Sequence, residues 1–149
     1  MSLTFELSQQ YGYVLAIAMS TSALGIYHRT LSGGARKASG LQYPIPYATQ
    51  EQAEKDPKAL KFNRAQRAHG NFIENVTPFL ATLLIAGLRH PVGAIYAGAA
   101  WIAGRFAYAY AYTNIATKAR VGPYVVSLLS ELTLMGMAGM TCYEMIMSA

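Results

Sequence analysis

Charged side chains are almost absent from three long stretches of this 149-residue chain. Residues 7–28 hold no Lys, Arg, Asp or Glu, residues 90–117 hold only Arg105, and residues 121–149 hold only Glu131 and Glu144. A bilayer core about 30 Å thick takes about 20 helical residues to cross. Four segments meet that length, approximately 8–29, 64–89, 92–114 and 121–147, and residues 30–63 are left as a hydrophilic connection. The expected fold is all-α, a single domain (1–149) built as a four-helix transmembrane bundle.

Composition agrees: 53% of the residues are hydrophobic and only 13% charged, and the mean hydropathy is positive, as in integral membrane proteins. The net charge of +5 does not call for nucleic acid, because the cations are segregated along the chain. Eight of the twelve Lys and Arg lie between Arg29 and Arg67, and Lys118 and Arg120 sit between the third and fourth segments. Positive charge marks cytosolic loops, so the first and third connections are expected in the cytosol and both termini on the far side. The leader carries Glu6 and no cation, unlike the basic start of a cleaved signal peptide. Cys142 is the one cysteine and reads as a small buried residue.

Within the second segment, the stretch FNRAQRAHGNFIENVTP places Arg64, Arg67, Asn71 and Glu74 three, four and three residues apart. On a helix they share roughly 80° of arc and form one polar stripe. The apolar run that follows carries the lower part of the stripe to membrane depth, where polar groups are costly and mark a function by default. Pro78 withholds a hydrogen bond from the carbonyl of Glu74, and a kink is expected there.

The remaining segments supply partners. In the first connection, Gly33-Gly34 reads as a turn leading to the basic pair Arg36 and Lys37. The third segment repeats a small-xxx-small pattern, Ala94 with Gly98 and Ala100 with Gly104, which favours close helix contact. Arg105, Tyr108 and Tyr112 share a face; Arg105 is too deep to reach water and is expected to pair with Glu74 or a carbonyl of the second helix. Glu131 is expected to pair with a cation such as Arg105. Arg120 falls at the start of the last helix, near in depth to the upper stripe. His28, His69 and His90 lack ligand spacing, so no metal or haem is expected, and His69 reads as a packing or subunit-contact residue.

Several arginines (Arg36, Arg64, Arg67, Arg120) around one carboxylate, Glu74, with tyrosine hydroxyls nearby, suit an anionic ligand that also carries one ammonium. A purely anionic lipid headgroup would explain the arginines but leave Glu74 without a purpose. A small peptide-like zwitterion with excess carboxylates accounts for both.

The stretch just quoted, the later GRFAYAYAYTN, and the preceding ARK and YPIPY resemble the MAPEG proteins (membrane-associated proteins in eicosanoid and glutathione metabolism), most of all the type 3 microsomal glutathione S-transferases. The resemblance runs from about Tyr11 to Met140. It implies a homotrimer with glutathione between subunits, in the endoplasmic reticulum or microsomal membrane, with the mitochondrial outer membrane as a second location and the site facing the cytosol. Arg67, Asn71 and Glu74 resemble the family's glutathione-binding residues, with Arg64 beside them; Arg36 would bind a carboxylate. Tyr108 and Tyr112 resemble tyrosines contributed by the adjacent subunit, and Arg120 resembles the arginine that holds the sulfur as thiolate. The implied activity is a glutathione transferase with glutathione-dependent peroxidase activity, acting on lipophilic electrophiles or lipid hydroperoxides among membrane lipids. Arg120 lies eight residues after Tyr112, one more than in the cysteinyl-leukotriene synthase branch, which leaves Lys118 as an alternative. That spacing, Asn75 in place of a tyrosine and Lys37 in place of an arginine all favour the type 3 branch. The main rival is a non-enzymatic lipid-binding scaffold of the same fold, and a proton-coupled exporter is a more distant one.

Overall fold

The computed structural model describes residues 7–148; the leader up to Glu6 lies outside the described residues. No strand occurs among them. Helix α1 spans Tyr11–Ser39, the short α2 Gln50–Lys55, α3 Pro57–Arg89, α4 Pro91–Asn114 and α5 Val121–Met147, with a 3₁₀ turn at Thr117–Arg120 before α5. By length and composition, α3 and the run Thr117–Met147 are apolar enough to cross a membrane. The other two long helices, of 29 and 24 residues, have the length, but their Gly, Ser and Tyr residues dilute their hydropathy.

The expected loop over residues 30–63 is largely helical. Gly33 and Gly34 do not turn the chain, and α1 continues to Ser39. A glycine costs a helix about 1 kcal/mol relative to alanine, but here packing outweighs propensity. Leu31 and Ala35 pack on Phe62 and Ala65 of α3, and the Ser32 hydroxyl donates to Gln66 Oε1 at 2.6 Å. The break comes at Gly40, whose φ of 71° is left-handed and whose N–H closes on the Lys37 carbonyl, the usual glycine-capped helix end.

From there the chain crosses a short irregular stretch fastened by Asn63, which accepts from the Ala48 N–H at 2.8 Å and donates to its carbonyl at 2.9 Å. Thr49 and Gln52 form a reciprocal capping box that starts α2, satisfying two otherwise orphaned donors. Asp56 then caps α3, with Pro57 in its first turn, where a missing N–H costs nothing. Helix α3 thus begins seven residues before the expected start, and Pro78 stays inside it.

The core is aromatic in the middle. Phe79 and Trp101 stack with centroids 3.8 Å apart, and Leu83, Leu134 and Val14 close around them, all fully buried. Small residues set the helix approach. A Cβ on Gly98 would meet Leu83 at 2.8 Å, and one on Gly104 would meet the Ser127 hydroxyl at 2.5 Å and the Pro123 carbonyl at 3.1 Å. The α4–α5 contact therefore depends on the absence of a side chain at Gly104. Large apolar residues on α1 and α5, such as Met19, Ile26, Leu129 and Met135, face outward, as lipid-facing or subunit-facing surface does.

Candidate functional site

Helix α3 presents Arg67 and Asn71 one turn apart, α4 presents Tyr108, and the 3₁₀ turn delivers Arg120 to the same place. Together with Val121 and Tyr124 of α5 they line a cavity of about 230 Å³. Arg120 enters it because the turn at Thr117–Arg120 runs directly into α5, which fixes its backbone against α4. Its Nη1 donates to the Tyr108 hydroxyl at 3.4 Å, and its guanidinium lies 4.5 Å from the Tyr112 ring centroid. A guanidinium keeps its proton in proteins, so the charge of Arg120 is permanent.

Donor and acceptor roles follow from chemistry. A guanidinium has only donors, so the Tyr108 oxygen accepts from Arg120 and its own hydroxyl proton is free to point into the cavity. The same logic fixes Asn71. Arg105, only 2% exposed, donates from Nη1 to Asn71 Oδ1 at 2.5 Å, and so the Asn71 amide NH₂ is left as a donor for a ligand. Arg105 is further held with its guanidinium 5.0 Å from the Trp101 ring centroid, and Trp101 Nε1 donates to Glu131 Oε2 at 3.3 Å.

Two pairings thus differ from the sequence expectation. Arg105 takes the Asn71 side-chain oxygen rather than Glu74 or a helix carbonyl, because Asn71 sits on the α3 face that packs toward α4. Glu131 is partnered by the Trp101 indole, and the only salt bridge among the described residues is Lys55–Glu51. Asn75, in place of an aromatic residue, donates from Nδ2 to the Asn71 carbonyl at 2.7 Å and braces the helix behind the site.

The cavity gathers Arg67, Asn71, Tyr108 and Arg120, with Tyr112 beneath Arg120. It does not gather Arg36, Arg64 or Glu74. Glu74 is exposed on α3, one turn below Asn71. Arg64 is half-buried with its Nε unpartnered. Arg36 is sandwiched between Tyr43 and Phe62, 4.3 and 4.5 Å from their centroids, and lines a separate pocket with Lys37 and Gly40. Lys118 is exposed and outside the cavity. Within the single chain Tyr108 shares one cavity with Arg67 and Arg120, while the resemblance implies that tyrosines of an adjacent subunit contribute. Tyr124 was missed; its ring centroid is 6.4 Å from that of Tyr108, and the only hint in the sequence is an aromatic four residues after Arg120.

His28 is fully buried and stacks on Phe72 at 4.7 Å, with His69 at 6.2 Å. Both lie against neighbouring rings, with His28 Nδ1 and Nε2 and His69 Nδ1 buried and unpartnered, and no group of three or more His, Cys, Asp or Glu suited to a metal occurs among the described residues. Cys142 is exposed rather than buried, on the outward face of α5.

Chemically the cavity suits an anion, with two guanidiniums, an amide NH₂ and a hydroxyl among its lining groups. Its volume is below the roughly 300–1,000 Å³ of a typical small-molecule site.

Over 76 residues the chain is 38% identical to an uncharacterized protein of Synechocystis sp., an alignment covering 50% of this chain and 56% of that protein, so the chain spans little more than half the relative's length. The sequence profile of the MAPEG family matches residues 14–140, from α1 into α5 and through every residue of the cavity. Together with the all-helical fold and two helices long and apolar enough to cross a membrane, this match shows that the chain belongs to the MAPEG family, which includes glutathione transferases and related membrane proteins that bind glutathione and act on lipophilic substrates.

Proposed function

We propose that the protein is an integral membrane glutathione transferase and peroxidase of the type 3 microsomal kind. The observation that carries this reading is Arg120, held against Tyr108 at the mouth of a cavity shared with Arg67 and Asn71. A free thiol has a pKa of about 8.5 and is only a few per cent ionised at neutral pH. A guanidinium beside it favours the anion, and a shift of two units corresponds to about 2.7 kcal/mol. Arg120 supplies the charge, while the Tyr108 hydroxyl and Asn71 NH₂ donate hydrogen bonds to the sulfur or a neighbouring carboxylate.

With its thiolate so held, glutathione forms a carbon–sulfur bond to a lipophilic electrophile, and the leaving group departs with the electron pair of the broken bond. Toward a lipid hydroperoxide the sulfur attacks the terminal oxygen and the O–O bond breaks. The lipid leaves as an alcohol after taking a proton, and the resulting sulfenic acid is reduced by a second glutathione to disulfide and water. Glu74 faces the ammonium of the γ-glutamyl group.

The family resemblance implies a homotrimer with glutathione between subunits, and Arg36, which lines a pocket of its own in the single chain, would bind a carboxylate. The four long helices span the membrane with the cationic connections, and so the site, on the cytosolic side of the endoplasmic reticulum or a related membrane. The test is product analysis. Detergent-solubilised protein incubated with glutathione and either an aryl halide or a fatty-acid hydroperoxide should yield thioether or alcohol, with losses in Arg67→Ala and Arg120→Ala. Rates equal to those of protein-free micelles would overturn the enzyme reading.

A further inference from the structure

A second feature lies on another face of the molecule and shares no lining residue with the Arg120 cavity. Between α1 and α4 runs an apolar groove of about 640 Å³, walled by Ile17, Leu24 and Tyr27 on one side and Ile102, Ala103 and Phe106 on the other. At Tyr27 it meets a second recess of about 370 Å³, formed by Thr30, Gly34 and Ala38 of α1 with Lys58 and Lys61 at the start of α3. The two share Tyr27 and form one track along α1.

At 1.5 Å per residue, Ile17 to Tyr27 covers about 15 Å, half of a roughly 30 Å hydrocarbon core. Thr30 to Ala38 adds about 12 Å at headgroup depth. The track therefore has the layout of one leaflet's lipid, an acyl-chain slot running into a largely apolar recess with two exposed lysines among its lining residues. Lys58 and Lys61 are exposed, and neither forms a salt bridge among the described residues. Asp56, the nearest acid in sequence, is turned to the backbone N–H of Lys58 as the helix cap. Gly34 leaves the recess open, since a Cβ there would meet nothing within 4 Å.

We infer that this track binds an anionic phospholipid of the cytosolic leaflet, one acyl chain in the α1–α4 groove and its phosphate between Lys58 and Lys61. Charge complementarity selects the headgroup, and the apolar slot is indifferent to it. Near a membrane surface each lysine favours an anionic lipid about five-fold, so the pair should give a preference of roughly thirty-fold.

The test is lipid retention by native mass spectrometry. Purified protein in detergent is exchanged against equimolar dioleoyl-phosphatidylglycerol and dioleoyl-phosphatidylcholine. The natural chain should retain phosphatidylglycerol preferentially, Lys58→Gln/Lys61→Gln should lose the preference, and Ala103→Trp, which fills the slot, should lower retention of both lipids. Glutathione binding in the same preparations should be unchanged, so a failure here is separable from a failure of the enzymatic reading. Equal retention of the two lipids by the natural chain, or an undiminished preference in the lysine variant, would overturn the inference. So would efficient cross-linking of Ala103→Cys between copies in a Cys142→Ser background, which would mean that a second copy covers the groove.

Discussion

Gly104→Ala couples helix packing directly to the candidate site. A Cβ at this position would lie 2.5 Å from the Ser127 hydroxyl, 3.1 Å from the Pro123 carbonyl and 3.2 Å from the Ser127 amide nitrogen. The hydroxyl can rotate away, but the other two atoms belong to the backbone of α5's first turns. Relief therefore means moving that end of α5 outward by a few tenths of an ångström. Overpacking of this kind costs about 1–3 kcal/mol, and backbone neighbours place it near 2 kcal/mol, which is about 4–8 °C in melting temperature for a domain of this size. Arg120 immediately precedes α5 and travels with it, lengthening a contact to Tyr108 that is already 3.4 Å. Glutathione affinity should therefore fall together with stability, measurable by thermal unfolding and calorimetric titration of the same preparation. Adding Ser127→Ala should recover only the hydroxyl's share. Unchanged melting temperature and affinity would refute the close α4–α5 contact and the positioning of Arg120 through it.

Other substitutions probe the rest of the account. Arg105→Met removes the donor to Asn71, leaving that amide free to rotate; unfolding assays should show a loss of about 1–3 kcal/mol, and glutathione should bind more weakly although Arg105 does not line the cavity. Gly40→Ala forces a side chain into a left-handed φ and should cost about 1 kcal/mol by thermal melting, with activity unchanged at permissive temperature. In Arg120→Ala the conjugation rate at pH 7 should fall roughly 25-fold, the ratio of thiolate fractions for pKa values of about 6.5 and 8.5. Its pH–rate profile, which rises as the thiol ionises, should shift upward toward about 8.5, and raising the pH should narrow the gap to the natural chain.

The helical architecture was legible because charge avoidance over 20 or more residues has few other solutions, and the stripe from Arg67 to Asn71 was legible because helical spacing puts it on one face. Helix boundaries in the first connection were not. Gly33-Gly34 reads as a turn locally, and only the packing of Ala35 on Phe62 and Ala65 explains why α1 runs through it. The pairing of Arg105 with Asn71 was hidden for a related reason: Glu74 is the obvious charge partner in sequence, but its place on α3 turns it outward, and an amide oxygen one turn away satisfies the buried guanidinium instead. Tyr124 could not be read as a site residue without knowing that the turn at Thr117–Arg120 folds it over Tyr108. Arg36 belongs to the same basic signature as Arg120 in sequence, yet its stacking between Tyr43 and Phe62 holds it in a separate pocket of the single chain.

The central claim is that Arg120 generates a glutathione thiolate, and an ultraviolet difference titration tests it most directly. Glutathione added to the detergent-solubilised protein should produce a thiolate band that persists in Lys118→Ala and vanishes in Arg120→Ala. A band that survives in Arg120→Ala, or glutathione that binds the natural chain without any thiolate, would contradict the assignment; no binding at all would move the reading to a lipid-binding scaffold of the same fold.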